Sequence, residues 1–208
     1  MLITLEGPDG SGKTLQMQPT AEFLRSRGYN VFTAREPGGT SIGDQVREIL
    51  MRMDNTKMMP RTETLLFCAA RAQLIDEVIR PHLNKGDVVL LDRYADSTVA
   101  YQGYGHQHDL AQIRSLLDFT TGGLKPDLTF LLDIDAEVGL QRRQKNGGEW
   151  NRLDAYQLQY HFRVRKGYLE MAASEPDRWR VIDASQPPDV VQSKIREFLL
   201  VYLSNLPN

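Results

Sequence analysis

Short apolar runs alternate with longer helix-forming stretches along this chain of 208 residues. Continuous runs rich in Val, Ile, Leu and Phe predict strands at 2–6, 30–34, 87–92, 128–133 and 179–183. The intervening patterns predict helices over about 13–27, 41–52, 61–83, 109–121, 136–145, 155–173 and 188–204. Apolar strands separated by helices are typical of a parallel sheet covered on both faces. The predicted fold class is therefore α/β, with three layers (α/β/α) around a five-stranded parallel sheet.

Polar residues cluster where the predicted strands end. Glu6, Arg35-Glu36, Asp92-Arg93 and Asp183 each close or follow a strand. Ligands of open α/β sheets bind beyond the carboxyl ends of the strands. One such residue is weak evidence, because polar side chains must surface at strand ends. Their convergence on one rim predicts a ligand site there.

Composition narrows the class of protein. Hydrophobic residues at 41% and charged residues at 25% are typical of one soluble globular domain over 1–208. The net charge of −2 argues against a nucleic-acid partner or an anionic-membrane surface. A single cysteine, Cys68, excludes an internal disulfide framework and favours a cytoplasmic location. We also expect no membrane span, since no apolar run approaches the ~20 residues required, and no signal peptide.

The most specific motif follows the first predicted strand. Gly7-Pro8-Asp9-Gly10-Ser11-Gly12-Lys13-Thr14 matches the P-loop pattern G-x-x-x-x-G-K-[ST], with a predicted helix directly after it. Its glycines let successive backbone N–H groups surround the phosphates of a nucleoside triphosphate, and the helix adds its positive end. Lys13 is expected to reach the β- and γ-phosphates, and the Thr14 hydroxyl to ligate Mg²⁺. The full spacing and context disfavour the alternative of a glycine-rich turn with a stray lysine.

Two further groups of residues suit phosphate chemistry. The Asp92 carboxylate is suited to holding Mg²⁺, directly or through water, and the Arg93 guanidinium to clamping a phosphate. A buried structural pair of Asp92 with Arg93 remains the alternative. Arg142, Arg143, Lys145 and Arg152 surround the glycine-containing stretch 146–151. This cluster predicts a flexible lid at about 142–154 that closes over phosphates, with a solvated loop between basic helix ends as the alternative.

A third group points to a base pocket. Phe67 and Arg71 are spaced i, i+4 on a predicted helix, so they share one face and together suit stacking and edge recognition of a base. Without further context, a core Phe67 and a surface Arg71 are the preferred interpretation. The run 97–102 is polar and aromatic, and it is suited to the same pocket.

With these segments in place, the chain resembles the bacterial thymidylate kinase family. The resemblance rests on segments in family order at 6–14, 35–40, 67–73, 92–94, 97–103, 126–129 and 183–184. It implies a P-loop kinase fold that transfers the γ-phosphoryl group of ATP to dTMP with Mg²⁺. It also implies a homodimer and a cis peptide bond before Pro37.

The resemblance further implies the residues that contact dTMP. They are Asp9, Glu36, Arg47, Phe67, Arg71, Arg93, Thr98, Tyr101 and Gln102. Within this set, Phe67 is expected to stack on thymine and Arg71 to bind its edge. Arg93 is expected to bridge the donor and acceptor phosphates, and Tyr101 to crowd the 2′ position of the sugar.

Members of the family differ in where the catalytic arginine lies. Some carry it in the P-loop, at the position of Gly10 here, and others carry it in the lid. The resemblance therefore implies a lid arginine, with Arg152 as the first candidate and Arg143 as the second. In this family the residue before the lid arginine is usually acidic, whereas Asn151 precedes Arg152 here. This difference weakens the ranking of Arg152 above Arg143.

Two other functions stay open at this point. One is a P-loop kinase for a different nucleotide or nucleoside. The other is a nucleotide-driven switch, which would need switch motifs and no second phosphate clamp. Base preference and acceptor-free hydrolysis distinguish them.

Overall fold

The computed structural model of this chain describes residues 1–145 and 151–205. Five strands form one sheet in which all pairs are parallel, in the order β2-β3-β1-β4-β5. The strands are β1 (Leu2–Glu6), β2 (Val31–Arg35), β3 (Val88–Asp92), β4 (Leu128–Asp133) and β5 (Trp179–Asp183). The predicted five-stranded parallel sheet is confirmed. Its register brings Arg35 and Leu5 alongside Asp92, so the predicted polar rim forms at one edge.

The helices are bounded as follows. They are α1 (Lys13–Ser26), α2 (Ser41–Met51), α3 (Pro60–Leu74), α4 (Arg80–Asn84), α5 (Ala95–Thr98), α6 (Leu110–Thr121), α7 (Ala136–Lys145), α8 (Leu158–Ser174) and α9 (Pro188–Ser204). All seven predicted helices are present. The unbroken helix predicted over 61–83 is wrong in detail, because a π-helical segment, Ile75–Ile79, separates α3 from α4.

One helical region was not predicted. After β3, the chain forms α5 and continues as a π-helical segment over Val99–Gly105. Its β-branched and glycine residues have low helix propensity. Almost all of Val99–Gly105 is nevertheless buried, and α8 packs against it. Tertiary packing therefore stabilises a helix that local sequence does not favour.

Alternate residues of the central strands supply the cores on the two faces of the sheet. Ile3 and Leu5 pack with α1 and α9 on one face, whereas Leu2 packs with α3 on the other. This alternation follows from the pleat of a strand. Because both faces are covered by helices, the predicted three-layer arrangement is confirmed.

Two expectations from composition can be compared with the structure. Cys68 is buried in α3. Within 1–145 and 151–205, no helix combines the length and apolar character needed to cross a bilayer. Residues 146–150 of the predicted lid lie outside the described residues.

Candidate active site

The P-loop connects β1 to α1 through three glycines with positive φ. Gly7, Gly10 and Gly12 have φ of 145°, 76° and 88°. Residues that carry a side chain rarely adopt these backbone angles. A Cβ at Gly7 would also overlap the carbonyl of Leu132, and one at Gly10 the carbonyl of Gly139 on α7. The glycines therefore set the path of the loop and also allow its close contact with neighbouring backbone.

Lys13 lies inside this loop. Its Nζ donates to the carbonyl oxygens of Gly7 and Pro8, both at 2.9 Å, and to Ser11 Oγ at 3.3 Å. Burial and the nearby charge of Arg93 lower the pKa of Lys13 to about 8. A phosphate beside the ammonium would reverse this effect by stabilising its charge. The loop thus presents a desolvated cation that an anion would complement.

Thr14 and Asp92 meet where α1 begins and β3 ends. The Thr14 hydroxyl donates to Asp92 Oδ2 at 2.8 Å. Two oxygen donors of this kind fit Mg²⁺, which usually takes one or two carboxylates and completes its shell with phosphates and waters. In the part of the chain that the structure describes, no three His, Cys, Asp or Glu side chains form a metal group. An ion here would therefore depend on phosphate oxygens.

Arg93 is a non-glycine residue with a φ of 72°. Its Nη2 donates to Asp9 Oδ1 at 2.7 Å and to the Tyr101 hydroxyl at 3.0 Å, and its Nη1 to the Gly7 carbonyl at 3.1 Å. The carboxylate paired with this guanidinium is that of Asp9 in the P-loop. The unusual backbone conformation therefore aims a cation across the phosphate loop.

Asp9 is ionised in this setting. Burial alone would raise its pKa, but the charges of Arg93 and Lys13 outweigh burial and lower the pKa to about 2. The Tyr101 hydroxyl donates to Asp9 Oδ2 at 2.6 Å. Asp9, Arg93 and Tyr101 therefore form one hydrogen-bonded unit, as their assignment to a single site requires.

Glu6 is linked to the unit of Asp9, Arg93 and Tyr101 through Ser97 and Tyr168. Its side chain is fully buried and accepts from the Tyr94 backbone N–H at 2.7 Å, Ser97 Oγ at 2.7 Å and the Tyr168 hydroxyl at 2.8 Å. Arg93 Nη1 in turn donates to Ser97 and Tyr168. Burial and the charge of Asp96 raise the pKa of Glu6 to about 7. Tyr168, on the distant helix α8, was not singled out from sequence.

Arg71 corrects one sequence-based interpretation. Its side chain is buried and pairs with Glu36 at 2.6 Å, so the expectation of a surface arginine is wrong. It also donates to Thr98 Oγ1 at 2.9 Å and to the Tyr94 carbonyl at 3.0 Å. Phe67, one turn earlier on α3, is half-buried. The structure thus brings together Glu36, Arg71 and Thr98.

The peptide bond between Glu36 and Pro37 is cis, which confirms that expectation. Arg47 on α2 donates through Nη1 to the Pro37 carbonyl at 2.9 Å. Glu36 and Pro37 follow β2 directly, at the same rim as Asp92, and Arg47 reaches that rim from α2.

The two lid arginines have different surroundings. Arg152 is buried and pairs with Glu63 on α3 at 2.7 Å. Gln102 donates to the same carboxylate at 2.9 Å. Glu63 was not identified from sequence, and it joins residues far apart in the chain.

Arg143 lies on α7, the helix whose Gly139 contacts the P-loop at Asp9. Its Nε donates to Asp154 at 2.9 Å. Burial opposes the shift, but Asp154, together with the charge of Asp9, raises the pKa of Arg143. Gly139 lies one turn earlier on α7, and a Cβ there would overlap the Asp9 carbonyl. Residues spaced i, i+4 share a helix face, so Arg143 is on the face of α7 that meets the P-loop.

A P-loop on a five-stranded parallel sheet, with a second arginine clamp and a polar pocket beside it, defines a P-loop phosphotransferase. Comparisons with known proteins agree. The profile of the thymidylate kinase family matches residues 5–195. The chain belongs to the thymidylate kinase family, whose activity is phosphoryl transfer from ATP to dTMP.

Individual relatives match over nearly the whole chain. The thymidylate kinase of Roseiflexus castenholzii is 51% identical over 219 residues, covering 100% of this chain and 96% of its own. That of Deinococcus radiodurans is 46% identical and covers 94% of each chain. The crystal structure of thymidylate kinase from Ehrlichia chaffeensis matches with a TM-score of 0.77 at 34% identity, over 96% of this chain and 98% of that one.

Proposed function

We propose that the rim of the sheet transfers the γ-phosphoryl group of ATP to dTMP, giving ADP and dTDP. The observation that carries this proposal is the placement of Arg93, whose guanidinium is held by Asp9, Gly7 and Tyr101. A cation in this position is suited to contacting the phosphates of both nucleotides. Family membership identifies the reaction, and the contacts of this chain suggest which residues perform it.

On the donor side, ATP would lie in the loop Gly7–Thr14. Lys13 would leave its carbonyl partners for the β- and γ-phosphates, where its charge is stabilised. Thr14 and Asp92 would hold Mg²⁺, directly or through water. When bound, that ion supplies charge neutralisation on the phosphate oxygens.

On the acceptor side, thymine would stack on Phe67 while Arg71 binds its edge. The Glu36 carboxylate and the Thr98 hydroxyl hold the Arg71 guanidinium in a single orientation. That preorganisation reduces the entropy that would be lost when a base binds. Tyr101 would crowd the 2′ position of the sugar and so favour deoxyribose.

Four further residues complete the acceptor assignment. Asp9 would face the 3′-hydroxyl and phosphate of dTMP, and Arg47 and Glu36 would lie on the same side. Gln102 would close the pocket around the base, where it is buried against Glu63.

Transfer itself requires alignment and charge stabilisation, and little covalent chemistry from the protein. The acceptor phosphate is already ionised near neutral pH, so no general base is assigned. Lys13 and Arg93 supply positive charge, and one lid arginine completes it. Both arginines are paired, Arg143 with Asp154 and Arg152 with Glu63. Arg143 is favoured because it lies on the face of α7 whose Gly139 contacts the P-loop at Asp9.

A homodimer, a cytoplasmic location and a single domain over 1–208 belong to the same proposal. They are supported by the family resemblance, and the location also by the lone Cys68. The absence of nucleic-acid and membrane partners remains a prediction from the net charge of −2.

The decisive assay measures ADP release with ATP, Mg²⁺ and a panel of monophosphates: dTMP, dUMP, dCMP, dAMP and dGMP. We expect dTMP to be the best acceptor. We expect dUMP to be poorer but active, because a single methyl group is worth only ~1–3 kcal/mol. A different best acceptor would favour another nucleotide kinase, and hydrolysis independent of any acceptor would favour a switch protein.

A further inference from the structure

Glu63, in the first turns of α3, is fully buried and accepts from several charged and polar groups. Burial alone would raise its pKa. The hydrogen bond and charge of His106, with contributions from Gln102 and Arg152, lower that pKa to about 2. The side chain is therefore a buried carboxylate ion, which requires several close partners.

The two oxygens of this carboxylate contact different parts of the molecule. Oε1 accepts from Gln102 Nε2 and pairs with His106 Nε2, each at 2.9 Å. Gln102 belongs to the π-helical segment, and His106 follows it directly. Gln102 is the residue proposed to close the pocket around the base. Oε1 therefore contacts the residue that is assigned to the acceptor pocket.

The other oxygen contacts the segment 151–157, which begins within the predicted lid and continues past it. Oε2 accepts from the Tyr156 hydroxyl at 2.9 Å and pairs with Arg152 Nη2 at 2.7 Å. Arg152 also donates through Nε to the Leu50 carbonyl at 3.1 Å and through Nη1 to Tyr156 at 2.8 Å. This segment is therefore tied to α2 as well as to α3.

We propose that Glu63 is a positioning residue that couples the acceptor pocket to the segment 151–157, through Arg152 and Tyr156. The inference rests on the proposed function, because it assigns Gln102 to the base pocket. A base that contacts Gln102 changes the hydrogen bond from Gln102 to Oε1. The shared carboxylate passes that change to the contacts of Oε2 with Arg152 and Tyr156. Acceptor binding thereby affects the segment 151–157, and by reciprocity the position of that segment affects acceptor affinity.

A double-mutant cycle tests this coupling. Gln102→Ala, Arg152→Ala and the double variant are compared by kcat/KM for dTMP. If the two residues act through Glu63, the double variant loses about tenfold less than the product of the single losses. The cycle is then repeated in a Glu63→Gln background, where shape is kept and charge is lost. There the two losses should simply multiply.

Two results would overturn the inference. One is multiplicative losses in the wild-type background, and the other is coupling that survives Glu63→Gln. The matched control is Glu77→Gln, since Glu77 is exposed and hydrogen-bonds only to Gln73 among the described contacts. That substitution should leave the cycle unchanged. If Glu63 had only a structural role, Glu63→Gln would lower activity but leave the interaction energy between Gln102 and Arg152 unchanged.

If Glu63→Gln fails to fold, amide hydrogen exchange on the wild-type chain tests the coupling instead. Added dTMP should slow exchange several-fold at 67–73 and also at 151–157. Protection at 67–73 alone overturns the coupling and leaves the proposed function standing. Absence of protection at both segments, with no ADP release, overturns both.

Discussion

Two carboxylates of this chain are equally buried and behave in opposite ways. Glu6 and Glu63 are both 0% exposed. The pKa of Glu6 is raised to about 7, whereas the pKa of Glu63 is lowered to about 2. The neighbours explain the difference. Glu6 accepts from neutral groups and lies near the charge of Asp96, but Glu63 lies against Arg152 and His106.

The comparison shows that burial raises the pKa of a carboxyl, and partner charge decides the outcome. It also separates two parts of the site. Glu6 belongs to the phosphate side, where β1, β3 and the P-loop converge. Glu63 belongs to the acceptor and lid side, where helices and a loop converge. Each part can be perturbed separately.

The largest effect is expected on the phosphate side, from Lys13→Met. Loss of the ammonium removes charge stabilisation from the transferred group, so kcat should fall about 10²- to 10³-fold. Steady-state ADP release at saturating dTMP measures this loss. Lys85→Met, at an exposed position after α4, is the control and should retain full activity. A kcat within threefold of wild type for Lys13→Met would contradict the donor-site assignment.

The next effect separates the two lid arginines. Arg143→Ala should lower kcat about 10²-fold with little change in KM for dTMP, because the lost charge acts on the transferred group. Arg152→Ala should mainly raise KM for dTMP, about tenfold, because its partner Glu63 contacts the acceptor pocket. Full kinetics of both variants measure this split. The reverse pattern would restore Arg152 as the catalytic arginine.

The two carboxylates also predict opposite pH dependences of stability. Between pH 4.5 and about 7 the folded protein holds a proton on Glu6 that the unfolded chain has lost. The free energy of unfolding therefore falls as pH rises through this range, by up to about 3–4 kcal/mol at about 1.4 kcal/mol per pKa unit. Glu6→Gln should remove this decline. Urea unfolding at pH 5 and pH 7.5 measures it, and an unchanged slope in the variant would exclude Glu6 as its source.

For Glu63 the sign is reversed. Its folded-state pKa of about 2 lies below the ordinary 4.5. Its contribution to stability is therefore present above pH 4.5 and is lost as pH falls from 4.5 toward 2. Compared with wild type, Glu63→Gln should show a smaller loss of unfolding free energy when urea unfolding is measured across the range from pH 4.5 down toward pH 2, even if the variant is less stable at neutral pH. A steeper acid limb in the variant would contradict this assignment.

The smallest effect is expected from Phe67→Ala. Removing the stacking surface should raise KM for dTMP about tenfold and leave kcat nearly unchanged, since aromatic stacking on a base is worth ~1–3 kcal/mol. Leu65→Ala, at an exposed position on the same helix, is a suitable control. Equal KM values for the two variants would remove Phe67 from the base pocket.

The sequence was most informative where chemistry follows the end of a strand. The P-loop, Asp92 and Arg93 were predictable because parallel strands bring their carboxyl ends to one rim. The π-helical segment over Val99–Gly105 was not, because its helix is stabilised by α8 rather than by local propensity. Glu63 and Tyr168 were missed for a related reason. Their roles depend on side chains from distant helices, and no short motif records those contacts.

The contact between Gly10 and Gly139 has a consequence for how this chain could evolve or be redesigned. The backbone of α7 already fills the space next to residue 10. An arginine introduced there to imitate the other branch of the family would have to displace that helix. An arginine at position 10 would therefore require compensating changes in α7 as well as in the P-loop. The absence of a side chain at residue 10 is therefore fixed by main-chain packing against α7.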